Sequence, residues 1–286
     1  MTMVDAINSP SGGQAGTPEG GVVGVAATRT RSAPHPRRPA NWRAMHRYAT
    51  LIAEHTPMRA LSLPLTHRDP GAIAAHLTDR STGLDAIVLI GPDGPASAHI
   101  AAAVHRGGGP TVISELDVLT VALGAAALTC LRRRSIAPRS GRIAVTGADS
   151  APRLGPLLAA LGAGPMTTWH RHDIDPHRLP AALAGLDLLI DLDNSVARHL
   201  GPPDTLRLPE YPFEHTALIL PGLLNGLHPY PRTLISVDIL AACSRALALI
   251  TPAGRTLPRL YDRLLDPAVA RHVTRTLDPR TSQQTP

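Results

Sequence analysis

Two pairs of carboxylates and one glycine turn carry the chemistry this sequence can offer. Asp191 and Asp193 follow the apolar run 186–190, which has the length and composition of a buried strand. Carboxylates at the C-terminal end of such a strand stand where open α/β sheets place ligands, as a general base or a cation site. Solvated loop carboxylates are the plain alternative. Glu115 and Asp117 open a long apolar helix, 119–131, just after a short strand at 111–113. Gly147, Ala148, Asp149 and Ser150 leave the strand 142–146 and lead into a helix at 154–161, a Gly-Ala-Gly turn and a strand at 166–169. Strand, glycine turn, helix, strand is the βαβ unit of a nucleotide-binding sheet. There glycine lets backbone approach a pyrophosphate at a helix N-terminus.

The rest of the chain must position these groups. At 43% hydrophobic and 17% charged, 286 residues suit one or two globular domains with a real core. Aromatics are only 2%, so that core is aliphatic. Before the central unit the pattern predicts a helix at 41–54, a strand at 61–65, a helix capped by Asp69-Pro70, a parallel-type strand at 84–90 and a helix to His105. After it come a helix from Asp175-Pro176 to Ala184, the strand 186–190, a proline-rich loop over 202–212 and a strand at 217–220 closed by Pro221-Gly222. Helices at 236–250 and from Asp266 to Leu277 complete the chain. This alternation predicts an α/β, Rossmann-like, doubly wound and mostly parallel sheet. It divides the chain into a disordered Arg/Pro/Gly-rich arm (1–40), an N-terminal α/β portion (41–109), a Rossmann-like NAD(P)-binding-type domain (110–278) and a polar tail (279–286).

Composition also excludes chemistry. The net charge is +6, yet every basic side chain is arginine, since the sequence contains no lysine. A lysine general base, a Schiff base and a P-loop lysine are therefore ruled out. Arg29, Arg31, Arg37 and Arg38 suit a solvated tail, or electrostatic contact with nucleic acid through residues 29–38. Cys130 and Cys243 lie in apolar helical stretches and are expected as buried thiols. The longest apolar run, 118–131, is too short and alanine-rich to span a bilayer, and no secretory signal is evident; a cytoplasmic protein is the expectation. His170 and His172 with Asp173 and Asp175 have a metal-like look, with a solvated polar loop as the alternative. No Gly-x-Ser-x-Gly gathers Ser195, Ser236 or His215 into a nucleophile elbow. Arg132, Arg133 and Arg134 end the central helix, where cations meet its dipole favourably.

Three segments resemble the NAD-binding half of malic enzymes. Residues 110–128 resemble a strand that in the family ends in paired aspartates, Gly-Thr and a long alanine-rich helix. Residues 142–163 resemble its dinucleotide turn, normally Gly-Ala-Gly-Ala-Ala-Gly. Tyr211-Pro212 and then Ala217-Leu-Ile-Leu-Pro-Gly222 resemble its Tyr-Pro-Asn-Gln…Asn-Asn…Phe-Pro-Gly-Ile segment. A helix at 239–248, Leu257-Pro258 and Asp266-Pro267 continue the likeness, which is collinear over residues 60–278. It implies NAD or NADP as cofactor and a homodimer.

The departures matter as much. Malic enzymes use a divalent metal held by carboxylates, a lysine base and a tyrosine acid, and the lysine cannot be here. The metal-binding Glu-Asp pair falls near Leu89-Ile90-Gly91, with Asp93 displaced, and the paired aspartates leave only Glu115 and Asp117. Scattered carboxylates suit Mg²⁺ or Mn²⁺ poorly, so a divalent metal is not expected. The substrate-binding asparagines fall near His215-Thr216. In the turn Gly147 remains, but Asp149 replaces the second glycine and the third falls near Pro152, so a carboxylate stands where pyrophosphate would sit. Trp169-His170-Arg171 replaces the ribose-binding acid, and Arg171 suits a 2′-phosphate, hence NADP, or is simply a surface arginine. The leading expectation is a non-catalytic binding or regulatory homologue with a protein partner. The alternative is a divergent NAD(P)-dependent oxidoreductase or lyase. It would use Glu115, Asp117, Asp191 and Asp193 as acid/base groups, Tyr211 as proton donor, Gly147 to Ser150 on the cofactor and Arg171 on the nucleotide. A nucleic-acid-associated protein using the basic arm is the third.

Overall fold

A computed structural model describes residues 20–28, 41–169, 179–196, 204–209, 211–260 and 262–278. Two stretches of chain each build a four-stranded sheet in which all neighbours are parallel. The first joins β2 (Arg59–Leu65), β1 (Val22–Thr28), β3 (Ala86–Ile90) and β4 (Thr111–Ser114), in that order. The second joins β6 (Met166–Trp169), β5 (Ile143–Thr146), β7 (Leu188–Asp191) and β8 (Thr205–Arg207). The two orders are the same permutation. In each, the winding reverses between the first and third strands, which makes a switch point at their C-terminal ends. The predicted α/β parallel architecture is present, divided between two sheets.

Local chemistry sets the helices. They are α1 (Asn41–His55), α2 (Pro70–Asp79), α3 (Gly94–Arg106), α4 (Glu115–Arg133), α5 (Leu154–Ala160), α6 (Leu179–Ala184), α7 (Pro212–Ala217), α8 (Leu220–Leu227), α9 (Val237–Ile250) and α10 (Leu265–Leu277). Asp69 caps α2 by accepting from the Ala72 N–H at 2.8 Å, and Asp93 caps α3 through Ala96 at 2.9 Å. Ser114 caps α4 through Asp117 at 3.0 Å. Each cap satisfies a backbone donor that the first turn leaves orphaned. The main core packs α1, α4 and α7 to α10 against one face of the first sheet, while α2 and α3 cover the other. A second core lies between α4, α5 and the second sheet. Helix α4 thus serves both halves, and Gly124 lets it be crossed closely: a Cβ there would stand 3.0 Å from Leu157, Leu161 and Ser244.

Three expectations need correction. Residues 22–28, assigned with 1–40 to a disordered arm, form β1, an inner strand of the first sheet, with Val23, Val25 and Ala26 fully buried. The proline-rich loop contains β8, at 205–207. The strand proposed at 217–220 is helical instead: α7 ends at Ala217 and α8 starts at Leu220. A short apolar run cannot be told from a buried helix by periodicity, and Pro221 sits in the first turn, where its missing N–H costs nothing. Helix α8 then packs closely on α10: a Cβ on Gly222 would lie 2.7 Å from Val269 Cβ, and one on Gly226 2.8 Å from Val273 Cβ. Residues 1–19, 29–40 and 279–286 lie outside the described residues, as does the Asp175-Pro176 cap.

Candidate functional site

The second switch point gathers most of the expected polar groups. Thr146 ends β5 opposite Asp191 of β7. Its hydroxyl lies 2.7 Å from Asp191 Oδ1 and 3.0 Å from Asp193 Oδ1, so one proton serves both carboxylates. The Ser195 N–H donates to the same two oxygens at 3.0 and 3.2 Å. Asp191 Oδ2 accepts from the Val196 N–H at 3.4 Å and from Arg207 of β8 through Nε at 3.1 Å and Nη2 at 3.0 Å. Arg207 Nη2 also donates to the Val196 carbonyl at 2.7 Å. Asp191 is 0% exposed with both oxygens engaged; its geometry is that of a brace joining three strand ends.

Asp193 closes the glycine turn. Gly147 has φ +63°, the left-handed conformation such a turn needs. The space its missing side chain leaves is filled by the chain itself: a Cβ on Gly147 would fall 2.8 Å from Asp193 Cβ and 3.2 Å from its backbone nitrogen. Ala148–Ser150 make a single 3₁₀ turn, with Asp149 and Ser150 exposed, and α5 starts only at Leu154, without a side-chain cap. The intervening Pro152 abuts the start of α3, 2.5 Å from where a Gly94 Cβ would be. Arg153 pairs with Asp117 at 3.1 Å and donates to the Ile235 carbonyl. The cavity left at this joint is about 10 Å³, room for about one water.

The other expected residues lie apart from this centre or outside the described residues. Glu115 is buried and accepts from the Tyr48 hydroxyl of α1 at 2.9 Å. Tyr211 is 48% exposed at the start of α7, beside Phe213, whose ring meets Tyr48 at 5.2 Å and lies under the Arg47 guanidinium at 3.9 Å. Arg171, with His170, His172, Asp173 and Asp175, lies outside the described residues, as do residues 29–38. The terminal arginines of α4 each find an acceptor: Arg132 donates to the Ala248 and Thr251 carbonyls, Arg133 pairs with Asp204 and Arg134 with Asp187.

Hydrogen bonds favour the ionised form of Asp193 at this centre. Burial pushes the Asp193 carboxyl up, but hydrogen bonds from the Ser195 hydroxyl, Thr146 and the Ser195 N–H outweigh it and hold the group below the usual carboxylate range. A base working near neutrality needs the opposite shift. Burial lowers the His215 pKa, and its Nδ1 has no partner among the described residues. Among those residues no three His, Cys, Asp or Glu side chains converge on one point. Arg207, Thr146 and Tyr48 were not anticipated; their roles come from strand register and helix packing, which leave no local signal.

This geometry defines an α/β protein of two parallel, identically ordered sheets sharing a helical layer. The fold is that of malic enzymes. The chain is similar to the malic enzyme of Entamoeba histolytica (TM-score 0.74, 18% identity, 91% of this chain and 70% of that one). It is also similar to the malic enzyme of Pyrococcus horikoshii (0.74, 14%, 94% and 79%) and to an NAD-dependent malic enzyme of Thermotoga maritima (0.70, 17%, 88% and 84%). No protein-family profile matches the sequence, and no curated protein matches it. No helix among the described residues is long and apolar enough to cross a membrane.

Proposed function

We propose that this chain is a malic-enzyme-fold protein that does not carry out malate chemistry and acts instead as a binding or regulatory homologue. The observation that carries the reading is Asp193 packed against Gly147, which fills the space beside the glycine of the dinucleotide-type turn with the chain itself. The lysine-free sequence and the bracing role of Asp191 support it. The test is turnover of malate with NAD⁺ or NADP⁺ and Mn²⁺. The reading predicts no reduction of either nucleotide above the enzyme-free rate. Turnover that Tyr211→Phe abolishes would contradict it.

A second reading, an NAD(P)-dependent oxidoreductase or lyase acting on a small organic acid, is favoured by Gly147 keeping its left-handed turn, and by the NAD-dependent Thermotoga neighbour. Opening the 192–196 segment would then expose Asp193, with Asp117, Glu115 and Tyr211 as further proton-transfer groups.

A further inference from the structure

The geometry points to a binding pocket for a small apolar acid, an organic molecule with one carboxylate, where the ends of α4 and α9 meet. A cavity of about 500 Å³ opens there, within the roughly 300–1,000 Å³ of small-molecule sites. It includes no residue of either switch point. Leu128, Ile136, Pro138, Ala248 and Leu249 supply an apolar wall, and Leu249 is 68% exposed.

Arg132, Ser135 and Arg245 add polar groups to the lining. Helix α4 closes with the Ser135 N–H on the Arg132 carbonyl and the Ile136 N–H on the Leu131 carbonyl, both 2.9 Å. Ser135 takes the left-handed position, φ +58°, that glycine usually fills, and so sets a hydroxyl on the rim. Arg132 donates to the Ala248 and Thr251 carbonyls at 2.8 and 3.2 Å, and Arg245 donates to the Ala160 carbonyl. A guanidinium has five N–H donors, so both keep donors for a ligand. No carboxylate lines the cavity.

Two arginines with no carboxylate beside them favour an anion and repel a cation. Arg132 already serves the Ala248 and Thr251 carbonyls at the end of α9, so Arg245 keeps the most donors, which matches a single carboxylate. The apolar wall selects the rest of the molecule.

The test is calorimetric titration of the full chain with 1-naphthoate, 1-naphthylmethanol and 1-naphthyl phosphate. Saturable 1-naphthoate binding is expected, with the neutral alcohol weaker by about tenfold, the scale of one charge-assisted hydrogen bond. Arg245→Met, which keeps the stem, and Leu249→Gln should each weaken 1-naphthoate by a similar factor, about tenfold, with unchanged thermal melting. No saturable heat, equal affinity for acid and alcohol, or unchanged binding in both variants overturns the proposal. Tighter binding of the phosphate overturns the carboxylate assignment. A wild-type dimer that Leu249→Gln dissociates, with no probe bound, would make this face a subunit contact instead.

Discussion

The two sheets reverse their winding at equivalent places, yet the chain fills the two crevices with different chemistry. Between β1 and β3, Asn41 at the start of α1 donates its amide to the Thr28 carbonyl at 2.7 Å and lies 3.5 Å from the Thr28 hydroxyl. Gly91, at φ +111°, leaves just enough room, since a Cβ there would be 2.2 Å from Thr28 Oγ1 and 2.6 Å from Asn41 Nδ2. That filling is neutral. Between β5 and β7 the glycine is Gly147 and the filling is Asp193, backed by Asp191 and Arg207. A neutral amide needs only its hydrogen bonds matched, whereas a buried carboxylate needs a counter-ion, so the second crevice depends on a strand from further along the chain. One topology can therefore be sealed by a local group or by a charge network that ties distant segments together.

Asp191→Ala breaks the difference most directly. It strands the Arg207 guanidinium, 19% exposed, without its partner, and a loss of about 3–5 kcal/mol in urea unfolding is expected. Asn41→Ala should cost less, about 1–3 kcal/mol in the same measurement, because the hydrogen bond it loses to the Thr28 carbonyl is a neutral one. Titration separates the crevices further. The Asp193 carboxyl lies below its ordinary value in the folded chain, so it adds stability above the unfolded pKa of about 3.9 that is lost as pH falls through the folded value. Acid unfolding of Asp193→Asn should be shallower than wild type, while Asn41→Ala should keep the wild-type slope, since neither Asn41 nor Thr28 titrates.

The smallest effect uses the two cysteines, one in each core. Burial pushes Cys130 up to about 11 and Cys243 up to about 12, so neither offers thiolate near neutrality. Cys130 belongs to the core under the second sheet and Cys243 to that of the first. Both thiols should resist a disulfide reagent at pH 8 in the native chain. Faster Cys130 labelling in Asp191→Ala, and faster Cys243 labelling in Asn41→Ala, would map each opening to its own half; equal acceleration would show one cooperative unit.

Much of this was legible in residue types, and what was missed has physical causes. Asp69, Asp93-flanked and Ser236 helix starts, the central helix and the strands at 86–90, 143–146 and 188–191 follow from caps and apolar runs that act locally. Strand β1 was hidden because its three valines and Thr28 are interrupted by Gly24, Ala26 and Ala27 in a stretch rich in glycine, proline, serine and threonine, and pairing with β2 and β3 orders them. Asp191 and Asp193 could be found from their place after an apolar strand. That Asp191 is bonded to Arg207 could not, because the pair depends on the β7–β8 register across a stretch that resembles a loop. Local signals place elements; long-range pairing decides whether a carboxylate is free.

The most direct test of a self-sealed second crevice is calorimetric titration of the purified chain with NAD⁺ and with NADP⁺. No saturable heat is expected for either nucleotide, because Asp193 already occupies the space beside Gly147. Micromolar binding of either one, abolished by Gly147→Val, would show that the segment yields to a dinucleotide and would contradict it.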